Sequence, residues 1–441
     1  VRGLRWSLSL WSVSPGVAGR VLFALAVLTI AASWAPGAVT QEPVTLYYAH
    51  WGDGLAEKRV VDLFHQHYSN IRIELVPIDG NTTSTAEKLL VMAAADVLPD
   101  MFFLSGTQGI PPLFMDRGLL LDLTPYMERD GIREDDFVPN AWNYAKRDGR
   151  IWGWPRATFG ISLGTAIIAY NMDMYDSAGL VHPAPGWTFE QLLSDARLLT
   201  IDRNGDGTID QWGTEQLGFN WWQVFVWSNG GEILNDEMTD IRLLEPQAIE
   251  ALQWLGDLNH VYSVSAPRSS GGTGYFTQGR AALAHVPLSA YRDFQGMPFN
   301  WGLTVPPRGP SGETAYSLGG SNIIGVAAVT EHPEEVWTFL KFLSEEWVHR
   351  LEVLEWKTAT PNLRSVALSP EFLYQPAPPY DLTAVVMHNP SKPTPQHPGW
   401  PRINSLVQGV LRSDVFTGNK SADAAMREIA DALRAILAEG R

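Results

Sequence analysis

From Val44 onward the chain switches between two hydrophobic periods. VTLYYA (44–49) is a short run of β-branched and aromatic residues, and Leu55–Tyr68 then sets apolar and charged residues at helical spacing. Ile71–Ile78 reads as a strand, Thr85–Ala95 as a helix, and Met101–Leu104 as a buried strand after Pro99-Asp100. Strands alternating with helical crossovers of this length predict a parallel sheet with helices on both faces. Ile161–Tyr170 is another β-rich run, and Thr188–Thr200 a helix with Thr188 and Gln191 at capping-box spacing. Pro246–Tyr262 and His332–Leu343 are further helices, the second with Pro333 in its first turn, and Ser421–Ala438 closes the chain as an amphipathic helix. Pro306–Pro310 and Pro376–Pro398 read as rigid connectors. No linker divides the chain into consecutive domains, which permits a fold that crosses repeatedly between two α/β lobes. Loops at the carboxyl ends of the strands would then line a cleft between them.

Residues 1–40 follow neither period. Arg2, Arg5 and Arg20 are their only charges, Val21–Ala32 is apolar or small apart from Thr29, and Ala35, Gly37 and Ala38 follow. A basic start, an apolar run shorter than the about 20 residues of a membrane-spanning helix, and a small-residue exit predict a secretory signal. Cleavage would fall at Ala35, Ala38 or Thr40; the alternative is an uncleaved anchor.

Composition narrows the classes. A chain of 441 residues, 45% hydrophobic and 18% charged, is large enough for two or three packed units. There is no cysteine, so disulfides, thiolate metal sites, a catalytic thiol and a lipid-bearing cysteine are all excluded. A net charge of −16 disfavours nucleic acid and anionic membranes as partners.

Several segments resemble a known family when taken in order. They are LPDMFFLSGTQGIPPLFMDRGLLLDLTPYMERDG (98–131), GRIWGWP (149–155), AYNMDMYDSAGL (169–180) with GWTFEQLL (186–193), FTQGRAALAHV (276–286), WGLTVPPRGPSG (301–312) with LGGSNIIGVAAVTEHPEEVWTFLKFLSEEW (318–347), and HPGWPRINSLVQGVL (397–411). Together they are similar to the family 1 extracellular solute-binding proteins of ABC importers, the maltose- and glycerol-phosphate-binding group. The resemblance implies an α/β type II periplasmic-binding fold, two lobes joined by several crossovers around a central cleft. It implies lobe 1 at 41–158 plus 304–343, lobe 2 at 159–303 plus 344–441, and hinge closure on a captured solute. It further implies an exported monomer, periplasmic or extracellular, that does no chemistry. Such a protein would bind a carbohydrate, an oligosaccharide first among the choices, and deliver it to the transmembrane subunits of an ABC permease.

The same resemblance points to candidate ligand-binding residues. Sugars present apolar C–H faces and a rim of hydroxyls, which flat aromatic rings and small polar groups complement. Trp51 and Asp53 follow the first strand in HWGDG, where Asp53 has the alternative role of helix N-cap. Ser105 and Thr107 follow the Pro-Asp strand and either bond solute or turn the chain. Trp221 and Trp222 are adjacent, so on a helix one faces the cleft and the other packs inside. Tyr291, Gly319, Gly320, Trp356 and Trp400 complete the set, the glycines offering bare backbone for close approach. Trp254, Trp337 and Trp347 lie on helical patterns and are expected in the core. Trp400→Ala is expected to weaken solute binding without loss of stability.

Asp202, Asn204, Asp206, Thr208 and Asp210 lie in DRNGDGTID (202–210), which fits the first nine positions of a calcium-binding loop. Position 12 is Gly213 rather than the usual glutamate, so a bound Ca2+ would need another carboxylate and would be structural. Gly160, Ser162 and Gly164 match G-x-S-x-G, yet a β-type run follows where a nucleophile elbow requires a helix. No phosphate loop or zinc motif is present. The rival class is a secreted carbohydrate-active enzyme, whose mark would be a pair of carboxylates across a cleft. Within the binding class, a glycerol phosphodiester or a polyol are the alternatives to sugar.

Overall fold

Strand β1, Val44–Trp51, pairs in parallel with β2, Ile71–Ile78, along its whole length, and helix α1, Leu55–His67, makes the crossover. Helix α2, Thr82–Ala94, returns the chain to β3, Met101–Leu104, which pairs in parallel with β1 on its other side. All four residues of β3 are buried, as expected of a strand covered on both faces. Helix α3, Pro111–Asp116, and the short strand β4, Trp154–Pro155, complete this half of the chain. The computed structural model describes residues 43–439 apart from 52–53, 79–81, 107, 157–165, 216, 268–273, 377–378, 383–384 and 387–388. The expected signal segment, Asp53, Thr107 and the Gly160–Gly164 motif lie outside the described residues.

A second sheet is built from β5, Ile167–Asn171, β6, Trp212–Glu215, β7, Ala281–Val286, and β8, Trp301–Thr304, in the order β8-β5-β7-β6. Around it stand α4, Phe189–Leu198, α5, Trp222–Ser228, and α6, Pro246–His260. The capping box expected at α4 forms: the Thr188 hydroxyl accepts the Gln191 N–H at 3.2 Å and the Gln191 side chain accepts the Thr188 N–H at 2.9 Å. That reciprocal pair satisfies two of the helix's unpaired donors.

The chain then returns to the first sheet as β9, Ile323–Val326, between β3 and β4 and antiparallel to both. An all-parallel sheet was the expectation, and the departure has a simple cause. The carboxyl ends of β1 and β3 lead into the loops between the sheets, so a strand arriving from the second sheet enters from that end and runs backwards. Helix α7, Pro333–Leu343, covers the sheet, with Phe339 edge-on to Phe64 of α1 at 5.1 Å. Helices α8, Trp400–Val410, and α9, Ala422–Glu439, pack together, and α9 also packs on α6. Met426, Ile429, Leu433 and Leu437 recur at three- and four-residue spacing on its buried face. No helix among the described residues is long and apolar enough to cross a membrane.

Two of the three tryptophans assigned to the core pack inward. Trp254 stacks on Phe189 at 4.0 Å, and Trp337 is 1% exposed with its indole N–H donating to Asp130 at 2.8 Å. Trp347 does not. It is 41% exposed, resting on His67 and Phe342 at the rim of a five-residue helix too short to carry a buried stripe.

Candidate functional site

The loop after β3 meets the start of α8. Gly109 sits at φ +68, and a Cβ there would lie 2.5 Å from the Trp400 ring, so the indole lies directly against bare backbone. Trp400 opens α8 with Pro401 in the first turn, and His397 accepts the Gly399 N–H at 3.0 Å just ahead of it. The ring is fully buried while its indole nitrogen has no hydrogen-bond partner among the described residues. An unpaired buried donor is costly, on the order of 1–3 kcal/mol, and marks a place where a ligand acceptor would be welcome. A groove of about 750 Å³ opens beside this contact, between Leu90 and Leu113 on one side and Pro398, Gly399 and Ile436 on the other.

Trp222 joins Trp400, their rings 6.2 Å apart, and donates its N–H to the Asn404 side chain at 3.1 Å. It is the member of the adjacent pair that packs inside. Trp221 is half-buried and meets His285 edge-on at 5.3 Å. Ser105 is buried and its carbonyl accepts the Ile110 N–H, closing the loop that presents Gly109. Trp51 is half-buried and stacks on Phe103, the rings 6.1 Å apart. Tyr291 is buried against Phe372, and its hydroxyl has no partner among the described residues; burial pushes that hydroxyl up to about 12. Trp356 follows a π-helical turn, Leu351–Glu355, and is half-buried.

The bare backbone of Gly319 and Gly320 is filled by protein. A Cβ on Gly319 would lie 2.0 Å from the Ser391 hydroxyl, and one on Gly320 would lie 2.1 Å from the Tyr144 ring. Both glycines let Ser317–Leu318 pair with Ser391–Lys392 while Tyr144 lies beneath. The Tyr144 hydroxyl accepts the Thr394 N–H at 3.1 Å. Asn322 holds the other side, accepting the Gly106 N–H at 3.1 Å.

Arg156, Glu57 and Glu352 form a buried cluster that no sequence pattern announced. The Arg156 guanidinium donates to Glu352 at 2.7 and 2.9 Å and to Glu57 at 3.0 Å, with the three side chains 4%, 0% and 1% exposed. Glu57 stands in the first turn of α1, Arg156 ends the β4 segment, and Glu352 lies in the π-helical turn before Trp356. The cluster therefore stands behind two of the candidate segments at once. The only sequence signal was an arginine after Trp154-Pro155, which fits a surface turn equally well.

Two buried histidines remain neutral. Burial and then the neighbouring Arg156 push His349 down to about 3, where its Nε2 accepts the Asn362 N–H at 2.9 Å. Burial pushes His285 down to about 4, and its Nδ1 accepts the Gly218 N–H at 3.3 Å. In the unfolded chain both take up a proton near the ordinary value of about 6.5. Stability is therefore complete above that value and falls as pH drops from about 6.5 toward 4, by about 1.4 kcal/mol per pH unit for each histidine. His65, partly buried, shifts in the same direction. The urea midpoint is expected to fall from pH 7 to pH 5, and His285→Gln to flatten part of that slope. A midpoint unchanged across this range would contradict the neutral buried histidines.

The acidic loop 202–210 is organised by its own amides. Asp202 accepts the Gly205 and Gly207 N–H groups at 2.7 and 2.8 Å, Asn204 accepts that of Asp206, Asp206 that of Thr208, and Asp210 that of Arg203. These bonds hold the Asp202 and Asp206 carboxyls below the usual carboxylate range. Among the described residues no three Asp, Glu, His or Cys side chains stand together as a cation site. At Gly213 a side chain would collide with the Ala196 carbonyl at 2.2 Å, so the twelfth position cannot carry a side-chain ligand.

The family model of the bacterial extracellular solute-binding proteins matches residues 48–346. The fold is shared with an ABC substrate-binding protein, Lmo0181 from Listeria monocytogenes in complex with cycloalternan, at a TM-score of 0.75 and 21% identity, covering 90% of this chain and 100% of that one. The sugar-binding protein MalE from the phytopathogen Xanthomonas citri superposes with a TM-score of 0.74 at 23% identity, over 90% of this chain and 98% of that one. Maltose-bound MalE3 of T. maritima gives 0.71 at 20% identity, over 89% and 100%. These likenesses place the two sheets and their crossovers in the type II periplasmic-binding fold.

Proposed function

The chain belongs to the bacterial extracellular solute-binding proteins, and on that premise we propose that it is the exported receptor of an ABC importer for an oligosaccharide. Residues 41–158 with 304–343 form one lobe and 159–303 with 344–441 the other. The solute binds between them, and the closed receptor docks on the transmembrane subunits of its permease. It holds the solute without transforming it.

One observation carries this reading: Trp400, fully buried with an indole N–H unpaired among the described residues, lies against the Gly109 backbone of the loop after β3. The ring already covers that backbone, so what it offers a sugar is its buried N–H, a donor that a solute hydroxyl would engage as the two segments part. The structural relatives in complex with cycloalternan and bound to maltose support the sugar class. Binding favours the closed arrangement only through contacts that both lobes make at once.

A thermal-shift screen of residues 41–441 tests it. An oligosaccharide present at a hundred times its Kd adds about 2.7 kcal/mol to the folded state and raises the midpoint. Polyols and glycerol phosphodiesters are expected to leave it unchanged; a rise with one of those alone would replace the sugar. The same plates carry a chelator arm. Asp202, Asn204, Asp206, Thr208 and Asp210 are proposed as a structural calcium site on their spacing alone, so chelator should lower the midpoint. An unchanged midpoint would leave the loop as the amide-capped turn its hydrogen bonds already make.

A further inference from the structure

Strand β6 is the last strand of the second sheet, and beside it lies a cavity of about 430 Å³ that none of the expected solute residues lines. Its walls are aromatic at Trp212, Phe219 and Phe416. Arg412 stands over the Phe219 ring with its guanidinium carbon 3.9 Å from the centre. The Asn220 side chain at 3.2 Å and that of Gln408 at 3.0 Å fix the guanidinium in place. Ser265, 7% exposed, lines the same space with a buried hydroxyl that has no hydrogen-bond partner among the described residues. Its neighbour in the wall, Ser263, is held at φ +51, a left-handed conformation that costs a serine on the order of 1 kcal/mol or more.

These features select a ligand class. Among the described residues no aspartate or glutamate lines the cavity, which disfavours a cation. Aromatic side chains at Trp212 and Phe416 suit the C–H surface of a sugar ring, and a guanidinium fixed over Phe219 with an unsatisfied hydroxyl suits its oxygens. We propose that this cavity is a second carbohydrate site, taking one neutral hexopyranose unit on the flank of the second sheet. Phe219 in this wall and Trp222 against Trp400 belong to one short segment, so the flank and the cleft share a support. An oligosaccharide long enough to reach both gains a second foothold, whose benefit follows from effective concentration rather than from any new contact in the cleft.

Methyl α-D-glucopyranoside is the probe, titrated into the full chain with tryptophan fluorescence as the signal, since Trp212 stands in the wall. A saturable change is expected, kept in Trp400→Ala and weakened about tenfold or more in Ser265→Val, the equivalent of one lost hydrogen bond to a fixed group. Arg412→Gln provides the same reading if Ser265→Val melts before the titration temperature, and Trp400→Phe replaces Trp400→Ala on the same ground. A response lost in Trp400→Ala but kept in Ser265→Val would assign the sugar to the cleft alone and overturn the second site. So would the absence of saturation, or saturation by glucuronate and not by the methyl glucoside. The outcome is independent of which solute fills the cleft.

Discussion

Arg156→Met is expected to destabilise the protein by about 3–5 kcal/mol, the usual consequence of leaving buried charge without its partner. Glu57 and Glu352 would remain, 1% and 0% exposed, facing a thioether. Urea unfolding of the variant should show a lower midpoint at an unchanged slope, since the surface exposed on unfolding is the same. The control is the triple replacement Arg156→Met, Glu57→Gln and Glu352→Gln, which removes the charges together. Buried ion clusters contribute little net stability against neutral groups of similar volume, so the triple variant should recover at least half of the loss. If it is as unstable as the single one, packing of the arginine stem rather than charge holds these segments. The cluster also bears on binding, because it seats the start of α1 behind the Trp51 loop and the turn that leads into Trp356.

Trp400→Ala is expected to weaken solute binding about 100-fold or more, the loss typical of a central aromatic anchor, as read by calorimetry. The sequence alone led to the expectation that stability would be untouched, and the structure corrects that. A tryptophan with 0% exposure, packed on Gly109 and beside Trp222, loses about 3–5 kcal/mol on truncation to alanine. The titration therefore needs a melt alongside it, and Trp400→Phe as a companion. Phenylalanine keeps most of the ring but not the N–H, so it should lose about tenfold in affinity and little stability. Affinity unchanged in both variants would remove Trp400 from the solute site.

Much of the first sheet could be read from the chain. Ile71–Ile78 and Met101–Leu104 form at the expected bounds, and Thr188 with Gln191 makes the expected box. Each of these depends on neighbours within a few residues, where periodicity and capping chemistry act. The candidate site was legible in part, as a set of aromatic and small residues at segment ends. What could not be read was how they are used. Trp347 and Trp337 sit on similar helical patterns, yet one is exposed at a rim and the other buried against Asp130. Gly319 and Gly320 offered bare backbone, and Tyr144 and Ser391 fill it. Tyr144 and Thr394 entered no motif, and Asn322 and Asn404 lay in the matched segments without being singled out, since a lone polar residue carries no period.

By itself, then, the sequence determined the alternation of strands and helices, the class of fold, and the family to which the chain belongs. Those properties are written in local hydrophobic period and in the order of segments. Only the tertiary structure decided that β9 runs against its neighbours, that Trp400 closes on Gly109, and that Arg156 stands between two glutamates 99 and 196 residues away along the chain. Such contacts join positions whose separation no window spans, and burial turns an ordinary arginine or glycine into a position where one change of charge or one added methyl group matters.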